Sequence, residues 1–456
     1  MNKSETYDAI IIGAGLTGLT CGYYLAKAGL SVKIIEKNNR AGGVINTESE
    51  NGFTYENGPN SGVLATPDAA ELFEELNDKC ELETAKPESK KRLILKNGKW
   101  CELPSGLVSA ITTPLFTFYD KINILAEPFR EKGNDPEESV AGLVRRRLGG
   151  SFLDYAVDPF IAGIYAGNPE NLITKYALPK LYKLEQQYGS FIKGAIKKKK
   201  EFKSEREKKA NKEVFSAKGG LVNLVNALIS SFDGELDLNC TKTKIYTKSK
   251  PYKITYTKND VAFEIYSDNV ITTTGGYALE GMLGSEIELL NHVINLKYAK
   301  VVQAVIGFKK WNGMSLNAFG GLIPSREKRK TLGILFMSSI FSNRCPDGGA
   351  LISVFMAGER NPEIYSLPEG QIRELALSEV SDLLNENGQP DLLKIFKYKS
   401  AIPQYDSSSE KRLSSIDAIQ NKYPGLVLAG NIRDGIGMAD RIAQARNIAE
   451  IITNDK

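Results

Sequence analysis

Three glycines near the start of the chain have the spacing of a turn that binds a dinucleotide. Gly13, Gly15 and Gly18 follow the apolar run Ala9–Ile12, and residues 16 to 28 have a helical pattern. The first glycine permits a tight turn, the second lets a pyrophosphate approach the backbone, and the third lets helix and strand pack closely. Free N–H groups and the dipole at the helix start favour phosphate. The segment therefore predicts a strand–turn–helix in which these glycines, with Ala14, bind a dinucleotide.

An acidic residue follows at the distance that such a site requires. The β-branched run Val32–Ile35 ends on Glu36, about twenty residues beyond the glycines, where a carboxylate can accept hydrogen bonds from ribose hydroxyls. An acid there disfavours a 2′-phosphorylated cofactor, which an arginine would suit better. Lys37 comes next and is assigned to the same site. An ordinary βα turn is the alternative interpretation.

A second glycine segment decides between NAD and FAD. Residues 39–47 read NRAGGVINT and resemble the R-x-G-G-R-x-x-T segment of the FAD-dependent amine oxidase superfamily. Paired glycines, here Gly42 and Gly43, let the chain pass close to a long ligand, and Arg40 can face its phosphates. Val44 stands where the superfamily usually has a second arginine, which removes one phosphate contact and leaves the glycine path intact. FAD is therefore the expected cofactor.

The composition limits the other kinds of chemistry. A chain of 456 residues can form two or three domains, and a formal charge of +4 predicts no general affinity for nucleic acid. The cysteines are scattered without a C-x-x-C pair and His292 is the single histidine, so neither a metal centre nor a histidine-based triad is expected. The short polar N-terminus and thiols expected to be reduced indicate a cytoplasmic protein.

The middle of the chain has a different character. From residue 107 to 212 the pattern predicts helices without strands, and the last part is rich in lysine. A solvated helix is one interpretation, and attraction to an anionic membrane surface, at about 1 kcal/mol per basic residue, is the other. The apolar run from 107 to 125 contains Pro114 and charged residues, so it can lie on a bilayer but not cross it.

Several strings along the chain resemble one family more closely. They are GPNSG at residues 58–62, LPSGL at 103–107, VDPFIAGIYAGNPENL at 157–172, AKGGLVNLVNAL at 217–228, FGGLIPS at 319–325, TLGILFMSSIF at 331–341 and YPGLVLAGNIRDGIGMADRI at 423–442. They are similar to segments of protoporphyrinogen oxidases and their bacterial coproporphyrinogen-oxidising relatives. Because the strings extend from the start of the chain to its last helix, the chain is identified as a member of that family.

The resemblance implies an α/β protein of three parts. A discontinuous Rossmann-like FAD-binding domain takes residues 1–88, 213–292 and 406–456. A mixed-sheet substrate domain takes residues 89–106 and 293–405. A helical, membrane-associating domain takes residues 107–212, which implies a peripheral position on the cytoplasmic face of the membrane.

The resemblance also implies a reaction. A porphyrinogen loses six electrons and becomes a planar porphyrin, in two-electron steps that pass hydride from a bridge carbon to flavin N5, with oxygen or another acceptor completing each turn. The protein must hold the bridge carbon about 3–3.5 Å from N5. No strong acid or base is needed if the pyrrole protons leave by tautomerisation. The natural substrate, protoporphyrinogen IX or coproporphyrinogen III, stays open, and so does a homodimer.

The implied site residues form two groups. The cofactor group consists of Gly13, Ala14, Gly15, Gly18, Glu36, Lys37, Arg40, Gly42, Gly43, Gly58, Pro59, Asn60, Lys242, Gly430, Asn431, Gly437, Met438 and Ala439. The substrate group consists of Arg92 for a propionate, Leu322, Leu332 and Phe355 for the ring faces, Asn60 beside the flavin, and Gly163 and Gly167 for backbone room. The alternatives are a solvated arginine, ordinary core residues, and turn residues with no ligand.

Two other functions stay open. An amine oxidase or a polyene desaturase would share the cofactor fold, although no segment pairs an aromatic cage with a lysine in the way typical of amine oxidases. A non-catalytic flavoprotein that carries porphyrin or binds membranes is the other, because Val44, Gly62, Gly275 and Gly276 depart from the family pattern.

Overall fold

The structure is a computed structural model that describes residues 5–104, 109, 112–284 and 287–454. Residues 105–107 of the LPSGL string lie outside this set, and residue 107 is also the expected start of the helical region. The described residues form an α/β protein with parallel, antiparallel and mixed sheets.

The first glycine turn belongs to a five-stranded parallel sheet. Its strands follow the order Glu235–Asp237, Val32–Ile35, Ala9–Ile12, Val270–Thr272 and Leu426–Leu428. Ile10, Ile11 and Ile34 are fully buried because both faces of the sheet are covered. One face packs against the helices Leu16–Lys27, Pro67–Glu75, Val222–Ser231 and Met438–Asn454.

The opposite face of this sheet packs against a four-stranded sheet. The order of that second sheet is Glu5–Tyr7, Val261–Ser267, Tyr252–Lys258 and Thr241–Tyr246. Tyr252, Ile254 and Tyr256 alternate along their strand and all point into the shared core, as a half-buried strand requires. This core is completed by the helices Gly276–Leu283, Asn291–Ile294 and Ser409–Lys422 and the 3₁₀ turn Glu288–Leu290.

A single apolar stretch of sequence is divided between these two sheets. The run YSDNVITTT at residues 266–274 has the pattern of one buried strand, but Val261–Ser267 and Val270–Thr272 belong to different sheets. The Ser267 hydroxyl accepts the N–H of Asn269 at 3.0 Å and donates to the Asn269 carbonyl at 2.9 Å. This local hydrogen bonding turns the chain between the two sheets.

The largest sheet is seven-stranded and mixed. Its order is Leu392–Pro403, Tyr298–Phe308, Ala350–Ala357, Thr331–Leu335, Gly320–Leu322, Arg92–Lys96 and Lys99–Glu102. Gly320–Leu322 and Arg92–Lys96 run parallel, whereas the other neighbours are antiparallel. The helix Glu369–Leu384 covers one face and fills that core with Ile372, Ala376 and Val380. The other face is turned toward the glycine turns.

Smaller elements connect these sheets. The strands Gly62–Val63, Val214–Ala217 and Leu82–Thr84 form a three-stranded sheet, and Thr47–Glu50 pairs with Phe53–Glu56. Short helical turns are Pro87–Lys90, Ser325–Glu327, Met337–Ile340 and Pro362–Ser366.

Residues 112–213 contain helices and no strand. The helices and turns are Phe118–Leu125, Glu127–Phe129, Val140–Leu148, Gly150–Phe152, Leu153–Val157, Asp158–Tyr165, Thr174–Ala177, Pro179–Tyr188, Phe191–Lys199 and Glu205–Lys208. A core of Val140, Val144, Ile161 and Leu172 holds the central ones together. Throughout the described chain, every helix is too short or too polar to pass through a bilayer.

Candidate active site

The first glycine turn is too tight for side chains. Gly13 has a φ of +106° and donates its N–H to the carbonyl of Ile35 at 2.8 Å. A Cβ atom on Gly18 would lie 1.9 Å from the carbonyl oxygen of Gly13, because the helix Leu16–Lys27 begins directly against the turn. The N–H groups at the start of that helix therefore stand at the carboxyl end of a central strand, where open parallel sheets bind ligands.

Glu36 lies against this turn. It is 7% exposed, and its Oε2 accepts the N–H of Ala14 at 2.8 Å. Its Oε1 accepts the backbone N–H of Asn38 at 2.9 Å and the side-chain amide of Asn38 at 2.8 Å. Oε2 keeps capacity for a further donor, such as a ribose hydroxyl. Lys37 is exposed beside it.

Lys242 lies two residues beyond a backbone contact with Glu36. The N–H of Cys240 donates to the backbone carbonyl of Glu36 at 2.8 Å. Lys242 has a φ of +54° at a register shift between Thr241 and Lys244. Such a bulge turns backbone groups out of the strand ladder, as reading an adenine edge would require. That role stays a prediction.

The second glycine loop packs on the first. The N–H of Gly42 donates to the carbonyl of Ala14 at 2.7 Å, and a Cβ on Gly43 would lie 3.1 Å from the Cα of Gly15. Arg40 donates to the carbonyls of Gly43 and Ile45, both at 2.9 Å. The guanidinium therefore shapes its own loop, and its contact with a phosphate stays a prediction.

The GPNSG turn adds a third close approach. Gly58 has a φ of +142°, and a Cβ there would lie 1.9 Å from the carbonyl oxygen of Val44. Pro59 follows, and the Asn60 amide donates to the Gly58 carbonyl at 2.9 Å. The turn therefore fixes the second glycine loop from the other side.

Asn60 also connects the turn to the seven-stranded sheet. Its Oδ1 accepts from the hydroxyl of Ser353 at 2.8 Å, and the amide of Gln303 donates to that same hydroxyl at 3.3 Å. The Tyr398 hydroxyl lies 3.0 Å from Gln303 Oε1 and 2.8 Å from Asn57 Oδ1. Burial raises the pKa of Tyr398, so it stays protonated and donates. The network fixes the turn relative to the sheet face.

Residues 430–437, here called the C-terminal loop, form the last of the glycine turns. Gly430 has a φ of +88° and donates its N–H to Gln444 Oε1 at 2.8 Å. The N–H of Gly437 donates to Asp440 Oδ2 at 3.0 Å. Asn431 is half-buried in this loop, and Met438 and Ala439 begin the helix Met438–Asn454 with their side chains in the core.

Threonines after a central strand join the first turn to the C-terminal loop. Thr273 Oγ1 donates toward the carbonyl of Gly13 at 2.9 Å, and a Cβ on Gly430 would lie 2.9 Å from the carbonyl oxygen of Thr273. The Thr274 hydroxyl is buried beside Gly13 and has no hydrogen-bond partner among the described residues. A continuous row of backbone cradles and an orphaned hydroxyl suit a long dinucleotide.

The predicted substrate residues share one face of the seven-stranded sheet. On neighbouring strands, Arg92 pairs with Gly320, and Leu322 lies two residues after Gly320. Gly333 pairs with Leu322 on one side and with Phe355 on the other. Because alternate residues share a face, Arg92, Leu322 and Phe355 all point away from the helix Glu369–Leu384. Ser353 and Gln303 lie on that same face, which places it beside Asn60.

Leu332 joins this face through a bulge. The register shifts between Thr331 and Gly333, and Leu332 packs with Phe355, Ala162 and Ala166. It is 2% exposed, so in this structure it acts as a core residue, and contact with a ligand stays a prediction.

The two helical-region glycines lie at the same face. A Cβ on Gly163 would lie 2.7 Å from Leu322 Cδ2, and one on Gly167 would lie 2.5 Å from Gln404 Oε1. Gly163 therefore lets the helix Asp158–Tyr165 approach the sheet. Gly167 allows Gln404 to hold the carbonyl of Tyr165 at 2.9 Å. Both glycines have a packing role, and contact of either with a ligand is untested.

Sequence reasoning missed the buried polar residues behind these cradles. Gln303, Ser353 and Tyr398 become partners only through strand pairing, and nothing local marks them. Arg441 and Gln444 hold the C-terminal loop. A signal existed for Arg441, because a cation in the first turn of a helix opposes the helix dipole.

Comparison with known proteins assigns the chain to a family. Residues 16–453 match the family described as flavin containing amine oxidoreductase. The mitochondrial protoporphyrinogen oxidase of Nicotiana tabacum is 30% identical over 98% of this chain and 95% of its own. The coproporphyrinogen III oxidase of Bacillus subtilis (strain 168) is 24% identical over 96% of each chain.

A solved structure gives the same fold. The crystal structure of a protein from Exiguobacterium sp. 255-15 has a TM-score of 0.80 and 21% identity, with full coverage of both chains. The α/β class, the FAD cofactor and the family expected from the sequence are confirmed. The chain belongs to the flavin containing amine oxidoreductase family, groups there with the porphyrinogen oxidases, and is an FAD-dependent oxidoreductase.

Proposed function

We propose that this protein oxidises a porphyrinogen to a porphyrin by six electrons, with protoporphyrinogen IX as the leading substrate and coproporphyrinogen III as the alternative. One observation carries the proposal beyond the names of its relatives. The apolar residues Leu322 and Phe355 share a sheet face with Arg92, and that face adjoins the Asn60 turn. A flat apolar macrocycle with carboxylate arms needs this combination.

The chain's own contribution is to bind and orient. Bound FAD supplies a two-electron acceptor at flavin N5. Arg92 is exposed over the ring of Phe319, at 4.9 Å, where its planar fork can hold a propionate through two hydrogen bonds. Leu322 and Phe355 exclude water from the ring faces. The protonated Tyr398 cannot act as a base, which agrees with a reaction in which the protein only positions the substrate against the flavin.

Anaerobic mixing with each porphyrinogen tests the proposal. Loss of oxidised-flavin absorbance is expected for the natural substrate before oxygen is admitted. Porphyrin fluorescence and hydrogen peroxide are expected only afterwards, because each turn passes two of the six electrons to FAD and the flavin must be reoxidised between turns. Comparison of the two substrates decides between them. Flavin that stays oxidised with both porphyrinogens, or that is bleached by amines instead, contradicts the proposal.

Arg92→Ala is expected to raise KM for the porphyrinogen roughly 10- to 100-fold with little change in kcat. The reason is the loss of a charged hydrogen bond worth about 1.5–3 kcal/mol that is made equally in the ground and transition states. Steady-state porphyrin fluorescence measures both constants. Lys91→Ala is the matched control, because Lys91 is an exposed neighbour paired with Glu102 at 3.3 Å. Equal effects of the two variants would refute a specific role for Arg92.

We also propose the three-part division expected from the sequence. The cofactor part is residues 1–88, 213–292 and 406–456, the substrate part is 89–106 and 293–405, and the helical part is 107–212. The division is supported by the parallel sheet, the seven-stranded sheet and the strand-free helical region, each with its own core.

The helical part is proposed to rest on the cytoplasmic face of a membrane. Its surface exposes Phe118 by 79%, Leu125 by 70% and Phe129 by 87%. Lys193 Nζ lies 5.9 Å from the centre of the Phe129 ring, so the basic helix Phe191–Lys199 adjoins this apolar patch. Apolar insertion beside lysines suits an anionic lipid surface.

Leu125→Glu combined with Phe129→Glu is expected to weaken binding to anionic lipid vesicles roughly tenfold or more. Each residue would lose about 1.5–3 kcal/mol of apolar burial. Co-sedimentation with phosphatidylserine-containing vesicles measures the change. Val261→Glu is the control, since Val261 is 50% exposed on a strand of the four-stranded sheet. Parent-like sedimentation of the double variant would show that this patch is not the membrane-binding surface.

A further inference from the structure

Arg441 is a buried cation without an acidic partner. It is 7% exposed, and no carboxylate of the described residues forms an ion pair with it. Asp434 and Asp440 are near enough to act on its charge, but Asp434 pairs with Arg433 at 3.1 Å and Asp440 accepts the Gly437 N–H at 3.0 Å, and burial still lowers the pKa of Arg441. Its Nε has no hydrogen-bond partner within the described part of the chain. Such a charge is costly to bury unless something compensates it.

The N–H donors of Arg441 bind several backbone carbonyls of the C-terminal loop. One terminal nitrogen donates to the carbonyl of Gly430 and, at 2.8 Å, to Gln444 Oε1. The other donates to the carbonyls of Arg433 at 2.9 Å and Asp434 at 2.8 Å. These carbonyls converge on a single planar group, which a lysine ammonium could not span.

The carbonyls that accept hydrogen bonds from Arg441 determine where the N–H groups of the loop point. In each planar peptide the C=O and the following N–H are opposed, so carbonyls of Gly430 and Arg433 that face Arg441 turn the N–H groups of Asn431 and Asp434 away from it. Those two N–H groups make no hydrogen bond to the described residues. They are free to donate to a ligand at the glycine loop.

We propose that Arg441 is a positioning residue for the flavin: it holds the carbonyls of Gly430 and Arg433 so that the N–H groups of Asn431 and Asp434 meet the cofactor, and its charge, which no ion pair neutralises, favours the negative, reduced flavin. The proposal rests on FAD as the cofactor and does not depend on which substrate is oxidised. Negative charge on the bound reduced flavin would add to the partial compensation that Asp434 and Asp440 provide from a distance.

The test uses holoenzyme variants and two readouts other than turnover. Arg441→Met removes the charge, and it is expected to disfavour reduced over oxidised flavin tenfold or more, a downward shift of about 30 mV for a two-electron couple. Arg441→Lys keeps the charge and loses the fork. It is expected to leave the potential unchanged and to release FAD about tenfold faster on dilution.

Arg412→Lys is the matched control. Arg412 is buried too, at 0% exposed, and its Nε also lacks a partner among the described residues, but it contacts Gln404 and Ser409 instead of the C-terminal loop. Parent-like potential and FAD release are expected for it. The proposal is overturned if Arg441→Met keeps the parent potential, or if Arg412→Lys reproduces the changes. Loss of the fold in both Arg441 variants, seen by circular dichroism, would also overturn it.

Discussion

Glu127→Ala will lower the free energy of unfolding by about 3 kcal/mol. Glu127 and Arg147 are both 0% exposed, and Arg147 Nε donates to Glu127 Oε1 at 3.0 Å. Breaking a buried pair strands the remaining charge, at a typical cost of about 3–5 kcal/mol. The lower end applies because Glu185 Oε1 remains 3.5 Å from Arg147 Nε.

Further losses come from the groups that Glu127 organises. Its carboxylate accepts the Ser190 hydroxyl at 2.6 Å, the N–H of Phe191 at 2.9 Å and the N–H of Ile192 at 3.2 Å. It therefore caps the start of the helix Phe191–Lys199, where a negative charge is favourable. The same substitution should thus loosen the basic helix next to the apolar patch.

An exposed pair provides the control for Glu127. Glu170→Ala breaks a contact with Arg145 in which the side chains are 46% and 52% exposed, so a change below about 1 kcal/mol is expected. Urea unfolding of both variants, followed by circular dichroism, measures the difference. Equal destabilisation by the two substitutions would mean that burial of the Glu127 pair adds nothing.

Acid sensitivity gives a second signature of the same pair. Burial alone would raise the pKa of Glu127, but hydrogen bonds from Ser190, Phe191 and Arg147 outweigh it and lower the pKa. A lowered folded-state pKa contributes stability above the ordinary carboxyl pKa, and that stability is lost as the pH falls through the folded value. Glu127→Ala should therefore flatten the acid side of the stability profile.

The glycine turns of the candidate site were predictable because their determinants are local. A turn or a close backbone approach forbids a side chain at Gly13, Gly18, Gly42 and Gly58. Only glycine fits such positions, so they can be recognised in the sequence. The helix Leu16–Lys27 and the strand Val32–Ile35 appear within one residue of their predicted bounds. Local spacing and turn chemistry determine these features without reference to the rest of the chain.

The sheet face proposed for the substrate depends on partners far apart in sequence. Leu332 reaches its face through a bulge, and Ser353 meets Asn60 across 293 residues. The helix Ser409–Lys422 was not predicted, since its buried residues include Ser409, Arg412 and Ser415 and give a weak apolar pattern. Register, bulges and buried polar contacts are set by tertiary packing, which a sequence pattern does not encode.

Gly18→Ala is expected to yield protein with at least about tenfold less bound FAD. The added Cβ would lie 1.9 Å from the carbonyl oxygen of Gly13, and no rotamer relieves a clash between a Cβ and backbone. Helix Leu16–Lys27 or the turn must shift, which moves the N–H groups that are predicted to bind the pyrophosphate. The flavin-to-protein absorbance ratio of the purified protein measures the loss.

Gly281→Ala is the control that separates this clash from an alanine as such. Gly281 also lies inside a helix, Gly276–Leu283, but a Cβ there meets nothing within 4 Å. That variant should keep its FAD and gain about 1 kcal/mol of stability, because alanine has the higher helix propensity. Full flavin content in Gly18→Ala would show that the turn yields without loss, and the tight cradle would then not be what selects the cofactor.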